Sequence, residues 1–500
     1  MPRKRDEKYP LSYPLSIPEN LDIDTILATT PPDFEYNRDN FVYIASLPYS
    51  IMESFRNRDK EYEIALNFGY VPFYSKIIKQ KVNNYKPYIQ YFMDNGVLEC
   101  DDKSSKDGGK SFGYRLTLEY TTIHKPVSIE RQSLIRQLRN RTHPNIEEDE
   151  VLEETPLSAV PYLTKWFNPA LRIDMEKVKI FLKNLYQIDK EAKGTDYAKR
   201  KEITLWMSAQ KIHNNECSHN LNIDRIGRRF YSPLTNLKSE LRAYVTYDNK
   251  KLVSLDLKSS QPFFSLVLLD TNAFDRYHVG NILSLYSDYL YLEDNNIDLY
   301  IEKLRSLIKE RQHERDIYEY KMSLNFGYFY EKRGVKMGTY FNQPFGEEIT
   351  VEGLKEQRDI TKIKTLIMTY SKWSNKKYKS HYPNIDEILS LIKKKDHRVL
   401  SWVLQYIEAD MLLYKICPQI AAKNPNIPLF TIHDSIITTE EHAEYVYEKM
   451  IEIIQETIGF TPKIKPEILE EKNTTLLDRE EDIDFLEEEG AFEEVKEAIS

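Results

Sequence analysis

One segment constrains the fold more than any other: Pro428-Leu-Phe-Thr-Ile-His433-Asp434-Ser-Ile-Ile-Thr-Thr439. Two apolar, β-branched runs flank a two-residue polar break. That pattern predicts a hairpin that buries both arms and leaves His433 and Asp434 at its tip. The run after it, EHAEYVYEKMIEIIQE, has apolar residues at helical spacing and is predicted to cover one face of the sheet. A second apolar strand, Leu252-Val-Ser-Leu-Asp256-Leu, also ends on a carboxylate and runs into Ser259, Ser260, Gln261 and Pro262. A carboxylate at the end of a buried strand is costly unless it is paired or bound to a cation, although an aspartate there also serves as a helix cap. Two such aspartates, far apart in sequence, can meet across adjacent strands. Such a pair suits Mg²⁺, which takes one or two carboxylates plus phosphate oxygens.

At 500 residues the chain is too long for one core, and with 41% hydrophobic and 30% charged residues it has a soluble globular composition. Cys100, Cys217 and Cys417 show no paired spacing, which predicts a reducing compartment and no structural zinc. The basic start, MPRKRDEKYP, is followed by no apolar stretch, and no run is apolar enough to span a bilayer, so the expected location is the cytoplasm. The net charge of −9 argues at first against nucleic acid. However, Glu467 to Ser500 holds 14 acidic and 3 basic residues, so the remaining body is near +2 and can carry a basic cleft.

The expected organisation has five parts. Residues 1–40 read as an irregular Pro-rich arm. Residues 41–125 read as winged-helix-like: a helix around Lys79–Met93, a strand at Gly96–Cys100, a Gly/Lys-rich tip at 101–113 and a strand at Tyr114–Tyr120. The same pattern also suits a packing module with no DNA contact. Residues 126–220 form a charged helical, thumb-like region, in which Arg131, Arg136, Arg139 and Arg141 follow one helix flank. That flank suits a nucleic-acid channel or a solvated face. Residues 221–470 carry the chemistry, and 471–500 form an acidic tail.

Four features in order resemble motifs of the family A polymerases, the family of bacterial DNA polymerase I and, more distantly, of the single-subunit phage RNA polymerases. Gly227-Arg228, Leu237 and Leu241-Arg242-Ala-Tyr resemble the stretch that opens with Gly-Arg and ends in Ile-Arg-x-Ala-Phe. Asp256 follows at about the family's spacing, as its motif A aspartate. Gln405-Tyr-Ile-Glu408-Ala409-Asp410 resembles the Gln-Gly-x-Ala-Ala-Asp helix, and His433-Asp434-Ser435 the His-Asp-Glu turn of motif C. The resemblance spans roughly 220–470. It implies an α+β right-hand fold with an antiparallel-sheet palm and helical fingers and thumb. It also implies nucleotidyl transfer to a 3′-hydroxyl, two Mg²⁺ ions (or Mn²⁺) on Asp256 and Asp434, and a DNA primer–template (or RNA) and nucleoside triphosphates as partners. Arg228, Arg242 and Gln405 become nucleic-acid contacts. His433 sits by the primer terminus or is simply a hydrogen-bonded turn residue.

Motif B, Arg-x-x-x-Lys-x-x-x-Phe/Tyr-Gly-x-x-Tyr, has two candidates. Lys321 with Phe326, Gly327 and Tyr330 matches by letters, but the lysine is one residue out of register. Arg358, Lys362, Leu366 and Tyr370 recur every four residues, hence on one helix face, and are the preferred motif B, which the resemblance implies uses Arg358 and Lys362 on the triphosphate and the aromatic end, Tyr370, toward the incoming base. Three departures bear on substrate. The family's sugar-gating glutamate after motif A is Gln261, its motif C glutamate is Ser435, and its motif B aromatic is Leu366. Nothing resembles a proofreading exonuclease. Other roles compatible with these motifs are an RNA polymerase or primase, an untemplated nucleotide-adding enzyme, and a DNA-binding replication protein with an inactive palm.

Overall fold

The computed structural model describes residues 11–56, 58–101, 111–139, 156–216, 221–327, 329–330, 351–372 and 382–470. Helices combine with antiparallel sheets, and the chain divides into two compact units. The first comprises 1–150, 171–220 and 236–245, and the second comprises 151–170, 221–235 and 246–500. No described helix is long and apolar enough to cross a membrane.

The first unit is organised on the helix Arg38–Ser54, which Asn37 caps by accepting from the Asp39 N–H. Almost all of this helix is buried, and Phe41 at its start packs edge-on against Tyr88 (4.7 Å) and Phe92 (5.2 Å). Three sequence expectations change here. From residue 11 the expected arm has regular structure: Tyr13–Pro18 pairs antiparallel with His124–Ile129, and Ile23–Thr29 is a helix capped by Asp22. That pairing is between residues far apart in sequence, so local composition cannot reveal it, and the expected boundary at 125/126 falls inside a strand. The helix expected around Lys79–Met93 is two helices, Ser75–Lys81 and Lys86–Asp94, split by Val82–Tyr85. Val82 is extended and Pro87 starts the second helix, where its missing N–H costs nothing. Arg131 precedes the helix Gln132–Arg139 rather than lying on its flank, and its N–H donates to Asp39. Arg141 lies outside the described residues. Val71–Pro72, Gly113–Leu116 and Leu98–Cys100 form a three-stranded antiparallel sheet in that order. The tip expected at 101–113 lies mostly outside the described residues. Met175–Lys193 and Thr195–His213 pack on each other across Gly194, whose φ of 95° makes the sharp reversal.

The second unit is built on the strand Lys250–Leu257, buried at Leu252, Val253, Leu255 and Leu257. It enters from a hairpin at Asp248-Asn249, where both residues have positive φ, as a two-residue type I′ turn requires. Ser435–Thr439 pairs antiparallel with it from Leu252 to Asp256, and Ile464–Ile468 from Val253 to Leu257. Phe430–Ile432 pairs with Ser435–Thr439, so the hairpin turns at His433-Asp434. The helix Ala443–Ile458 packs on these strands through Val446, Met450, Ile453 and Ile454 and ends at Gly459 in the left-handed region. The helix Arg398–Ala409 packs against both Ser260–Phe264 and Val351–Tyr370. The acidic tail, 471–500, lies outside the described residues.

Candidate active site

The two aspartates arrive side by side because their strands are neighbours. Asp256 stands opposite Ser435 in the ladder, and the Leu257 N–H donates to the Asp434 carbonyl at 3.3 Å. His433 takes a φ of 50°, the left-handed first position of a two-residue hairpin loop, which turns Asp434 back toward the central strand. Burial pushes the Asp434 carboxyl well above the usual carboxylate range, and the negative charges of Glu408 and Asp256 push it further. Asp256 is also raised, first by burial, with Lys362 pulling in the opposite direction. Two carboxylates in this condition are short of positive charge.

Lys362 belongs to the helix Val351–Tyr370 and is exposed, close enough to act electrostatically on Asp256. Arg358, one turn earlier, sits over the Tyr330 ring at 5.2 Å. Lys321, the other motif B candidate, pairs with Asp270 at 2.9 Å on the helix Arg315–Phe326. At the C-terminal end of the Lys362 helix, the buried Tyr370 hydroxyl donates to Gln261 Oε1. An aromatic therefore does meet the Gln261 position, one turn beyond Leu366.

A buried ion pair completes the cluster. Arg229 donates to Glu408 Oε1 through Nη2 (2.6 Å) and Nε (3.1 Å), and the Ser260 hydroxyl donates to Glu408 Oε2 at 2.7 Å. Glu408 is 1% exposed. Burial alone would lower the Arg229 pKa, but Glu408 outweighs it and the net shift is upward. Asp224 aims the arginine, its side chain accepting from the N–H groups of Ile226 (2.8 Å), Gly227 (2.9 Å) and Arg229 (2.8 Å). Sequence reasoning missed Arg229, Glu408, Ser260 and Asp224. One signal was present: a lone glutamate in the apolar run Trp402–Ala409 demands a buried cation.

The remaining expected site residues are dispersed. Gln405 is buried, donates to Ser401 Oγ at 3.1 Å, and packs on Gly227, where a Cβ would come within 2.7 Å of its Oε1. A side chain at 227 would crowd Gln405, whose amide end would have to shift. Arg228, with φ 57°, lies near Tyr286, Tyr406 and Tyr414. His433 is exposed, its ring edge-on to Tyr231 at 6.1 Å. Arg242 lies in the first unit and donates to the Leu237 carbonyl at 3.0 Å; burial and the charge of Arg56 bring its pKa down to about 10.

Among the described residues no three His, Cys, Asp or Glu side chains group as a closed metal cage. The two charge-deficient carboxylates suit a hard divalent cation, whose other ligands would come from outside the chain. Glu408 has both oxygens engaged and is not part of that donor pair.

No family model matches the chain, and no curated protein matches it. Among solved structures it is similar to the POL domain of Pol1 from M. smegmatis in complex with DNA primer-template and dNTP, at 15% identity and a TM-score of 0.26. The match covers 57% of this chain and 54% of that one.

Proposed function

We propose that this chain is a template-directed nucleotidyltransferase of the family A polymerase type, making DNA by adding nucleotides to a primer 3′-hydroxyl. The observation that carries the reading is the meeting of Asp256 and Asp434 on adjacent strands, with Lys362 acting electrostatically on Asp256, the three groups that the motif resemblance singles out independently. In this reading the second unit supplies the palm and fingers of a right hand. The helix–strand–helix–helix–strand–strand order of residues 59–116 is a winged-helix module.

Asp256 and Asp434 would hold two Mg²⁺ (or Mn²⁺) ions, which when bound supply charge stabilisation to in-line phosphoryl transfer. Lys362 presents a cation to the triphosphate and the leaving pyrophosphate, and Arg358 extends the same helix face. Arg229, clamped by Glu408, fixes the positive side of the site without spending flexibility. His433 at the hairpin tip adjoins the primer end. Arg228 and Gln405 shape or contact the duplex path. The Tyr370–Gln261 hydrogen bond closes the sugar side of the nucleotide site. Gln261 is nearly as large as glutamate but uncharged, so the reading is a preference for dNTPs with incomplete exclusion of NTPs.

Primer extension by the full chain with dNTPs and separately with NTPs, in Mg²⁺ and in Mn²⁺, tests this. Templated products are expected, and Asp256→Asn and Asp434→Asn should abolish them. Homopolymer products independent of template would replace this reading with untemplated addition. No product with a folded wild type would favour the inactive-palm reading.

A further inference from the structure

The first unit carries a basic surface that the polymerase site does not use. Ser75–Lys81 (SKIIKQK) and Gln132–Arg139 (QSLIRQLR) pack against each other, tied by the Lys81 ammonium on the Gln137 carbonyl, and neither contains an acidic residue. Their apolar residues Ile78, Leu134 and Ile135 are buried, so the basic residues are left outward: Lys76, Lys79 and Arg136 are exposed. In a chain of net charge −9, two adjoining helices without an acid are a local positive field.

The next elements decide the partner. Val82–Tyr85 turns the chain into the helix Lys86–Asp94, which buries Tyr88, Ile89, Tyr91 and Phe92 and leaves Asn83, Asn84, Lys86 and Gln90 exposed. Two helices joined by a four-residue turn, the second presenting amide and ammonium groups at its start, match the way helix-turn-helix modules enter a major groove. Asn and Gln read adenine there, and Lys reads guanine O6/N7. Lys76, Lys79 and Lys86 take part in no ion pair among the described residues. The one acid on the reading helix, Asp94, lies at its far end and accepts from Gln90 at 2.8 Å.

We infer that this surface binds double-stranded DNA, with Lys76 and Lys79 on phosphates and Lys86 and Gln90 on base edges, as a second nucleic-acid site separable from nucleotide addition. It is a duplex site rather than a single-strand site, because the outward side chains are amides and ammoniums while the helix's aromatic rings are packed inside.

The test uses the full chain and a labelled blunt duplex with dideoxy 3′ ends, which the polymerase site cannot extend. Anisotropy is read across 50–200 mM salt. Lys76→Glu/Lys79→Glu is expected to weaken binding and to lower the slope of log K against log salt by about 1.8, two phosphates at ~0.9 each. Primer extension at saturating primer–template should stay within about twofold, since these residues touch no reacting group. Selection from randomised duplexes should return a preferred sequence whose advantage falls ~10-fold or more in Lys86→Ala or Gln90→Ala.

Wild-type affinity and slope in a folded Lys76→Glu/Lys79→Glu chain would overturn the inference. So would a charge-reversed chain whose primer extension falls in proportion to its duplex binding, which would place that binding at the polymerase site. A charge-reversed chain that loses duplex binding but still extends primers keeps this inference distinct from the polymerase reading.

Discussion

Removing the Glu408 carboxylate should destabilise the second unit severely. The side chain is 2% exposed and its partner Arg229 is 14% exposed, so neither charge can turn to water for compensation. Glu408→Ala deletes acceptors for two Arg229 hydrogen bonds and one from Ser260. Breaking one side of a buried pair typically costs about 3–5 kcal/mol, most of it the penalty of the stranded charge. At the ~2–4 °C per kcal/mol of 150–250-residue domains that is at most roughly 6–20 °C in Tm, and less for this larger unit. Replacing both partners with leucine should recover much of that loss, because the stranded guanidinium is gone. The Asp434 carboxyl, relieved of a negative neighbour, should at the same time fall back toward the usual range. Thermal and urea unfolding of Glu408→Leu, Arg229→Leu and Glu408→Leu/Arg229→Leu gives the cycle, with Glu408→Ala measured beside it and unfolding followed by tryptophan fluorescence and circular dichroism. A Glu408→Ala chain within ~0.5 kcal/mol of wild type, the range of an ordinary surface change, would refute the claim that this pair is buried and mutually dependent.

Lys362→Ala should raise the apparent KM for nucleotide at least ~10-fold with primer affinity retained, whereas Lys321→Ala, which only unpairs Asp270, should leave nucleotide KM unchanged; the opposite result would transfer motif B to Lys321. Gln261→Gly should improve ribonucleotide use, and Tyr370→Phe, which deletes the hydrogen bond to Gln261, should shift the dNTP/NTP ratio the same way; an unmoved ratio in both would show that this pair is not the gate. Asp434 and Asp256 have raised folded pKa values, so their contribution to stability is fully present below the unfolded carboxyl pKa and is lost as pH rises through the folded values. Mg²⁺ should offset that loss, so the Tm gain on adding Mg²⁺ should grow between pH 5 and pH 8; a gain that is flat with pH would count against these two carboxylates as the cation site.

Local pattern alone settled the elements that hold the candidate site. The hairpin at His433-Asp434, the helix after it and the strand ending at Asp256 follow from period-two and period-3.6 burial, because each is decided by neighbours within a few residues. The four-residue recurrence from Arg358 to Tyr370 likewise foretold one helix. What remained invisible depends on groups that meet only after the chain has closed long loops. Tyr13–Pro18 reads as an irregular arm until His124–Ile129 supplies its ladder partner. Ile464–Ile468, interrupted by Pro466, shows no strand signal of its own until its backbone groups pair with the central strand. Glu408 reads as one more letter of a helix motif until Arg229 and Ser260 arrive from distant segments to satisfy its two oxygens. A backbone donor or a buried charge carries no mark in sequence of which partner will satisfy it. The propensity of each strand and helix is written locally, but the compensation of buried polar groups is decided by tertiary packing, because it is set by distance and dielectric rather than by order along the chain.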